Sequence, residues 1–454
     1  MANLDLEVRK GSLLDATGEK STLGAVARVR RLDKAASEQS VAVHVGGTTA
    51  VRGLEGGHYE VQLMLPSGRM ISQEIELKRN DHELLSFDAS GAPASHLGWQ
   101  HFSGATRSDV EEEAWPANVR LNLKATHYNA SEDALSSDAL VKPKLLLIEG
   151  NEVLEQTVQN FDMVSVWNLL SEGVSGKKKP ALMVRGFVTK RQASDDSTNR
   201  SDSWQFGFAH DMQMGKRPKR QYAFVECDGT RELVSLPLPW HVSGFGGDSS
   251  ALFVDLLVDK AAGMHASRTN VVIRDNIFGG LIAFMNNGSL ALAGEMIRSS
   301  PDLKIQLKSA LQGKNNCPLG ACAAAYVLLA TSDLSSTDLG LEQGEDWHQW
   351  IQNLGTNELF RWIPDVSILA ARLTLYTAET EVEARKAIEY LREALRGGLP
   401  FYSLGLVWLL ELIGYFVKTE NDIKEVAPLV DAVARHLDVS QAFLVLKIAA
   451  GAKE

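Results

Sequence analysis

Residues 381–398 read EVEARKAIEYLREALRGG, and their spacing decides how the second half of the chain folds. Ala384, Ala387, Ile388, Leu391 and Leu395 recur at steps of three and four, with charged residues between them. That is the pattern of an amphipathic helix with one apolar face turned inward. Gly397 is placed to end it. The same period recurs on both sides, so Asn276 to Glu454 predicts roughly eight to ten short helices in antiparallel succession.

Ile277, Leu281, Phe284 and Met285 make one stripe, which stops at Asn286-Asn287-Gly288. Leu290, Ala293, Met296 and Ile297 make the next, and Pro301 opens a third at a position where proline is tolerated. Cys317-Pro318 opens the apolar helix GACAAAYVLLA (320–330), and WHQWIQNL (347–354) and IPDVSILAARLTLYTAE (363–379) follow. Asp365 is the expected N-cap of the latter. Phe401 to Phe416 is apolar nearly all round, which places it at the centre of the helical layer. Leu399 to Val417 carries Glu411 and Gly405 and is read as a buried helix rather than a membrane span. Helices at Ile423–Leu437 and Gln441–Ala449 complete the array. It has no fixed-period repeat signature.

The first half of the chain changes period. Alternation at period two marks LEVRK (6–10), AVARVRRL (25–32) and VAVHV (41–45). In GHYEVQLMLPSGRMISQEIEL (57–77), Tyr59, Val61, Leu63 and Leu65 share one face. Pro66-Ser67-Gly68-Arg69 turns the chain, and Ile71, Gln73, Ile75 and Leu77 run back, which is a hairpin. A Gly-x-Tyr entering a strand resembles the corner of Greek-key sandwiches, where the tyrosine hydroxyl ties a loop to the sheet. The resemblance is to transthyretin-like or carboxypeptidase-regulatory-like β-sandwich domains, over about ninety residues, and implies a spacer or binding platform.

After the linker around Ser90-Gly91-Ala92-Pro93-Ala94, strand-like runs appear at 119–127, 144–149, 181–190, 204–210, 221–227, 232–239, 251–259 and 270–275. They point to a second, larger sandwich with one amphipathic helix inserted at Asn160–Glu172. The expected architecture is therefore β then α: a small β-sandwich over 1–93, a larger sandwich-like domain over 98–275, and an α-helical array over 276–454.

Composition narrows the function. The 454 residues carry a formal net charge of −11, which argues against binding nucleic acid or an anionic membrane surface. Three cysteines, Cys227, Cys317 and Cys322, cannot build a disulfide framework. With no secretory pattern in MANLDLEVRKGSLLD and no run of about 18 uncharged apolar residues, the expected location is the cytoplasm.

No constellation of catalytic residues stands out, and no cofactor or metal is expected. Cys317 and Cys322 lie about one helical turn apart without the further ligands that zinc requires, so they read as core residues. Cys227 and His241 could form a Cys–His dyad, but Cys227 sits at a strand end and His241 in the loop PLPWHVSGFGG (237–247). The glycines around Asp248 lack the following Lys-bearing helix of a phosphate cradle. Trp347, Trp350, Arg361 and Trp362 have the composition of a partner-binding hot spot, and also that of helix-packing core. Two polar loops carry basic clusters, Lys177-Lys178-Lys179 and, within Gln192–Arg220, GKRPKR. Such loops are ordinary solvated surface or exposed protease targets. Lys190, Arg191, Arg200, Lys216, Arg217, Lys219 and Arg220 are the candidate cleavage residues.

The helical segments GGLIAFMNNGSLALAGEMI, PLGACAAAYVLL, DWHQWIQNLGTNELFRWIPDVSILAARL and LREALRGGLPFYSLGLVWLLELI, preceded by RTNVVIRD (268–275), resemble the C-terminal module of a family of bacterial proteins. Those proteins are encoded beside caspase-like or CHAT-type peptidases in defence systems. The resemblance covers roughly Gln221 to Ala449 and carries over no catalytic residue. It implies a non-enzymatic protein-binding adapter, regulator or proteolytic substrate of such a peptidase, in which a cut within Gln192–Arg220 would free or expose the helical part. The alternative is a hydrolase or carbohydrate-active protein with its site near His241 or Asp248 in the middle β domain.

Overall fold

A computed structural model describes residues 1–9, 22–33, 38–66, 68–89, 124–129, 144–149, 152–157, 188–191, 202–209, 221–227, 230–237, 240, 253–260, 268–273, 275, 277–312, 317–331, 347–356, 360 and 363–448. The chain is β-rich in its first part and helical in its last, as its two periods predict. It divides into two compact units. One comprises Met1–Glu111, Val272–Lys308 and Val327–Gln343, and the other Glu112–Val271, Ser309–Tyr326 and Gly344–Glu454.

Seven strands open the first unit: β1 (Ala2–Arg9), β2 (Thr22–Arg31), β3 (Glu38–Val45), β4 (Gly47–Leu54), β5 (Gly57–Met64), β6 (Met70–Leu77) and β7 (His82–Asp88). They form one curled sheet in the order β4-β1-β3-β2-β5-β6, with β7 also pairing β1. β1 runs antiparallel to β4 and parallel to β7, and meets β3 at the single bridge Val8↔Val45. The curl encloses Leu4, Leu6, Val8, Val29, Val43, Val61, Leu63 and Phe87, all 2% exposed or less. The hairpin runs from Gly57↔Leu77 to Met64↔Met70. Gly68, at φ +78°, donates to the Leu65 carbonyl in the turn, a backbone shape that glycine adopts without a Cβ penalty. The Tyr59 hydroxyl donates to the Glu55 carbonyl at 2.9 Å, tying the approaching loop to the strand.

The helices of this unit are α1 (Gly279–Met285), α2 (Leu290–Ser299) and α3 (Pro301–Leu311). Asp275 accepts from the amides of Ile277 and Phe278 just ahead of α1, supplying acceptors to N–H groups that have no helical partner. α1 and α2 pack on β2 and β3. Arg28 on β2 clamps Glu295 on α2 through both carboxylate oxygens, at 2.9–3.2 Å, and the Asn287 amide donates to the Pro66 carbonyl.

The strands of the second unit are β8 (Lys124–Asn129), β9 (Lys144–Glu149), β10 (Glu152–Thr157), β11 (Val188–Arg191), β12 (Asp202–Ala209), β13 (Gln221–Cys227), β14 (Thr230–Leu236) and β15 (Phe253–Lys260). β16 (Arg268–Ile273) pairs beside β15, giving a four-stranded sheet β11-β12-β15-β16. The helices continue with α4 (Pro318–Thr331), α5 (Trp347–Thr356), α6 (Pro364–Thr377), α7 (Glu381–Gly397), α8 (Ser403–Phe416) and α9 (Asn421–Ala434). α7 begins at a capping box in which Thr380 and Glu383 satisfy each other's backbone amides. It buries Ala387, Ile388, Leu391 and Ala394, so the inward face includes Ala394 rather than Leu395.

Two expectations fail in this region. Gln441–Ala449 contains no helix among its described residues. It holds β17 (Val445–Ile448), which pairs antiparallel with β14 from Val234↔Val445 to Arg231↔Ile448. The six-stranded sheet β10-β9-β8-β13-β14-β17 thus ends on the last strand among the described residues. Phe443-Leu444-Val445-Leu446 is buried along its whole length, and periodicity cannot tell such a run from a buried helix. Asp365 does not cap α6 either. Ile363 occupies the cap and Pro364 the first helical position, so the Asp365 carboxylate is directed elsewhere.

The inserted helix at Asn160–Glu172 lies outside the described residues. Among those residues, no helix is long and apolar enough to cross a membrane.

Replacing Tyr59 with phenylalanine should lower unfolding free energy by about 1 kcal/mol, because the Glu55 carbonyl loses its donor while ring packing is kept. Urea melts of the two proteins measure this, with an unchanged m-value expected.

Candidate functional site

Asp365 is fully buried. Its carboxylate accepts from the Tyr326 hydroxyl at 2.9 Å, the Phe401 amide at 2.7 Å and the Tyr402 amide at 3.2 Å. One carboxylate therefore joins α4, α6 and the chain entering α8. The Tyr402 hydroxyl in turn donates to the Leu319 carbonyl at 2.7 Å. Tyr326 packs on Tyr402 and Trp408 with ring centroids 5.4 and 5.1 Å away. A Cβ on Gly405 would stand 2.6 Å from the Tyr326 oxygen and 2.7 Å from an Asp365 oxygen, so α8 approaches this closely only because residue 405 has no side chain.

The electrostatics of this cluster are those of a fixed scaffold. Burial, reinforced by the Asp365 carboxylate, pushes the Tyr326 hydroxyl well above the ordinary tyrosine range, so it keeps its proton and acts as a donor. The same two causes push the Cys322 thiol up, which disfavours the nucleophilic thiolate. Cys317 and Cys322 are both buried, and neither is in a disulfide. Among the described residues, no group of His, Cys, Asp and Glu could hold a metal ion.

The same two helices present a different surface outward. Arg372 on α6 pairs with Glu411 on α8, and its guanidinium lies 4.7 Å from the Trp408 ring centroid. α6 and α8 run in the same direction, since Asp365 near the start of α6 meets Phe401 and Tyr402 just before α8. One turn beyond the Arg372–Glu411 pair, the helices carry Tyr376 and Tyr415, so these share its face. They are 62% and 63% exposed. Two exposed tyrosines beside an arginine stacked on tryptophan have the composition of a protein-binding hot spot. The signal was present in the sequence, as large aromatics four residues beyond a charged one on each helix, but the pairing of α6 with α8 was not.

Of the residues singled out for partner binding, Trp347 is 1% exposed and stacks on His348 at 3.9 Å between ring centroids. Its indole N–H meets no acceptor among the described residues. Trp350 is half-buried, and Arg361 and Trp362 lie outside the described residues. Of the cleavage candidates, Lys190 and Arg191 fall at the end of β11, paired with Trp204 and Ser203. Arg200, Lys216, Arg217, Lys219 and Arg220 lie outside the described residues, as do His241 and Asp248.

Residues 280–446 match the Y4kD C-terminal domain family. The match takes in α2 to α9, with all but the first residue of α1, and ends inside β17. It covers well under half of the 454-residue chain. No curated protein matches the sequence.

Replacing Asp365 with alanine should strip two buried amides and a buried hydroxyl of their acceptor and cost upwards of about 3 kcal/mol. Asparagine retains one acceptor oxygen and should cost less. Thermal melts of both variants test the order, and equal losses would rule out the hydrogen-bonding role.

Proposed function

We propose that this is a non-enzymatic interaction protein whose α6–α8 face holds a protein partner. The exposed pair Tyr376 and Tyr415, set beside Arg372 and Trp408, carries the reading. Tyrosine offers large contact area with few rotatable bonds and keeps a polar tip, which suits an exposed site that must become buried. The buried carboxylate beneath holds the two helices in fixed register, so the face is preorganised.

The resemblance of the helical segments to modules encoded beside caspase-like or CHAT-type peptidases supports such a peptidase as partner, with the protein as adapter, regulator or substrate in bacterial defence. In the substrate version the cut falls within Gln192–Arg220. β8, before that stretch, pairs with β13, after it, from Asn129↔Gln221 to Lys124↔Glu226. The two pieces would then stay joined by this ladder, so a cut would nick the assembly rather than release the helical part. A hydrolase site near His241 or Asp248 has no comparable observation behind it.

Affinity purification of the tagged protein from its native host, with mass spectrometry of partners and of its own termini, tests the reading. A peptidase should co-purify with the wild type and fall at least tenfold in a Tyr376→Ala/Tyr415→Ala variant that melts normally. Equal recovery by that variant would remove the face from the account. A new terminus between Gln192 and Arg220 would select the substrate version over the adapter.

A further inference from the structure

The last described segment, residues 437–448, is bonded along both edges. Toward the sheet, the Ser235 amide donates to the Leu444 carbonyl at 2.9 Å, and β17 continues the pairing along β14. Toward the helices, the Leu444 amide donates to the Phe401 carbonyl at 2.8 Å, the Ser403 amide to the Ala442 carbonyl at 2.9 Å, and the Ser403 hydroxyl to the Phe443 carbonyl at 3.0 Å. The Phe443 ring repeats the arrangement, edge-on to Trp240 at 6.4 Å and beside Tyr402 at 5.0 Å. The Gln441 amide adds a bond to the Asn270 side chain at 2.8 Å. The segment is further folded on itself: Asp438 accepts from Ser440 and pairs with Lys447 at 2.9 Å, and the Lys447 amide donates to the His436 carbonyl.

We infer that residues 437–448 are a strap that couples the α6–α8 layer to the six-stranded sheet, and that the family-matched stretch is incomplete without the β13–β14 hairpin that receives this strap. The match starts at residue 280, whereas β14 spans Thr230–Leu236. The strap's acceptor is thus supplied from outside the stretch that matches. An edge strand without its neighbour presents a row of unpaired amides and carbonyls. Leaving β14 open would also uncover Trp240, Phe443, Val445 and Leu446, each fully buried. The strap is short, with four residues in β17, so its pairing can open as a unit while the long helices stay folded. The coupling rests on this geometry and holds whether or not the α6–α8 face binds a peptidase.

Hydrogen exchange with mass spectrometry on the full chain tests the inference without altering it. The amides of Leu233 and Ser235, which face the strap, and of Leu446, which faces β14, should lose protection together, at one opening rate, ahead of those in α7. A Leu446→Pro variant provides the second arm. Val445 and Lys447 direct backbone groups to Asp438 and His436, so Leu446 faces Leu233 in the alternating antiparallel pattern. Proline there removes a ladder donor. Protection of the Leu233 and Ser235 amides should fall at least tenfold while α7 exchange is unchanged, and excess synthetic peptide 437–448 should restore it. Protection of the Leu233 and Ser235 amides that persists in the variant, or a Leu446 amide that opens independently of them in the wild type, would overturn the inference.

Discussion

Three residues at the entry to α8, Phe401, Tyr402 and Ser403, are bonded from two directions at once. From one side the buried Asp365 carboxylate takes the amides of Phe401 and Tyr402. From the other, the C-terminal segment takes the Ser403 amide and gives a donor to the Phe401 carbonyl. A backbone polar group buried away from water must find a partner, and here none of the three lies in a helix interior or a strand that would supply one. The positions of α4, α6, α8 and β17 follow from satisfying them. Gly405 belongs to the same constraint, since any side chain there would collide with the Tyr326 and Asp365 oxygens.

Much of the fold was legible because the two halves of the chain follow different periods. The hairpin from Gly57 to Leu77, the turn at Gly68 and the Tyr59 corner could each be read from residue type and spacing. So could α7, whose charges and apolar residues separate cleanly around the helix. β4, β7 and β10 were missed, because none of GTTAVRGL, HELLSFD and EVLEQT alternates cleanly between polar and apolar residues. β17 was misread for a different reason. Ala442 to Leu446 is buried throughout, and such a continuous apolar run carries no period, so pairing with a strand some two hundred residues away decided the form of β17.

The candidate site divides in the same way. Asp365 was conspicuous beside Pro364, and local logic assigned it to its own helix. Its actual partners are 36 and 37 residues onward in sequence, with Tyr326 39 residues back, and no local rule reaches that far. The Tyr376–Tyr415 face needs the register of α6 against α8 before the two tyrosines belong together. Trp347, prominent by residue type, proves to be interior. Aromatic composition alone does not separate a binding face from a core; exposure does.

The account makes Asp365 and the C-terminal segment parts of one device, joined through residues 401–403. A double-mutant cycle between Asp365→Asn and Ser403→Ala measures that joining directly, since the first weakens the bond to the Phe401 and Tyr402 amides and the second removes the hydroxyl that reaches the Phe443 carbonyl. A coupling free energy above about 0.5 kcal/mol is predicted, because both act on one short piece of backbone. Losses that add to within about 0.3 kcal/mol would show two independent contacts and contradict the central claim.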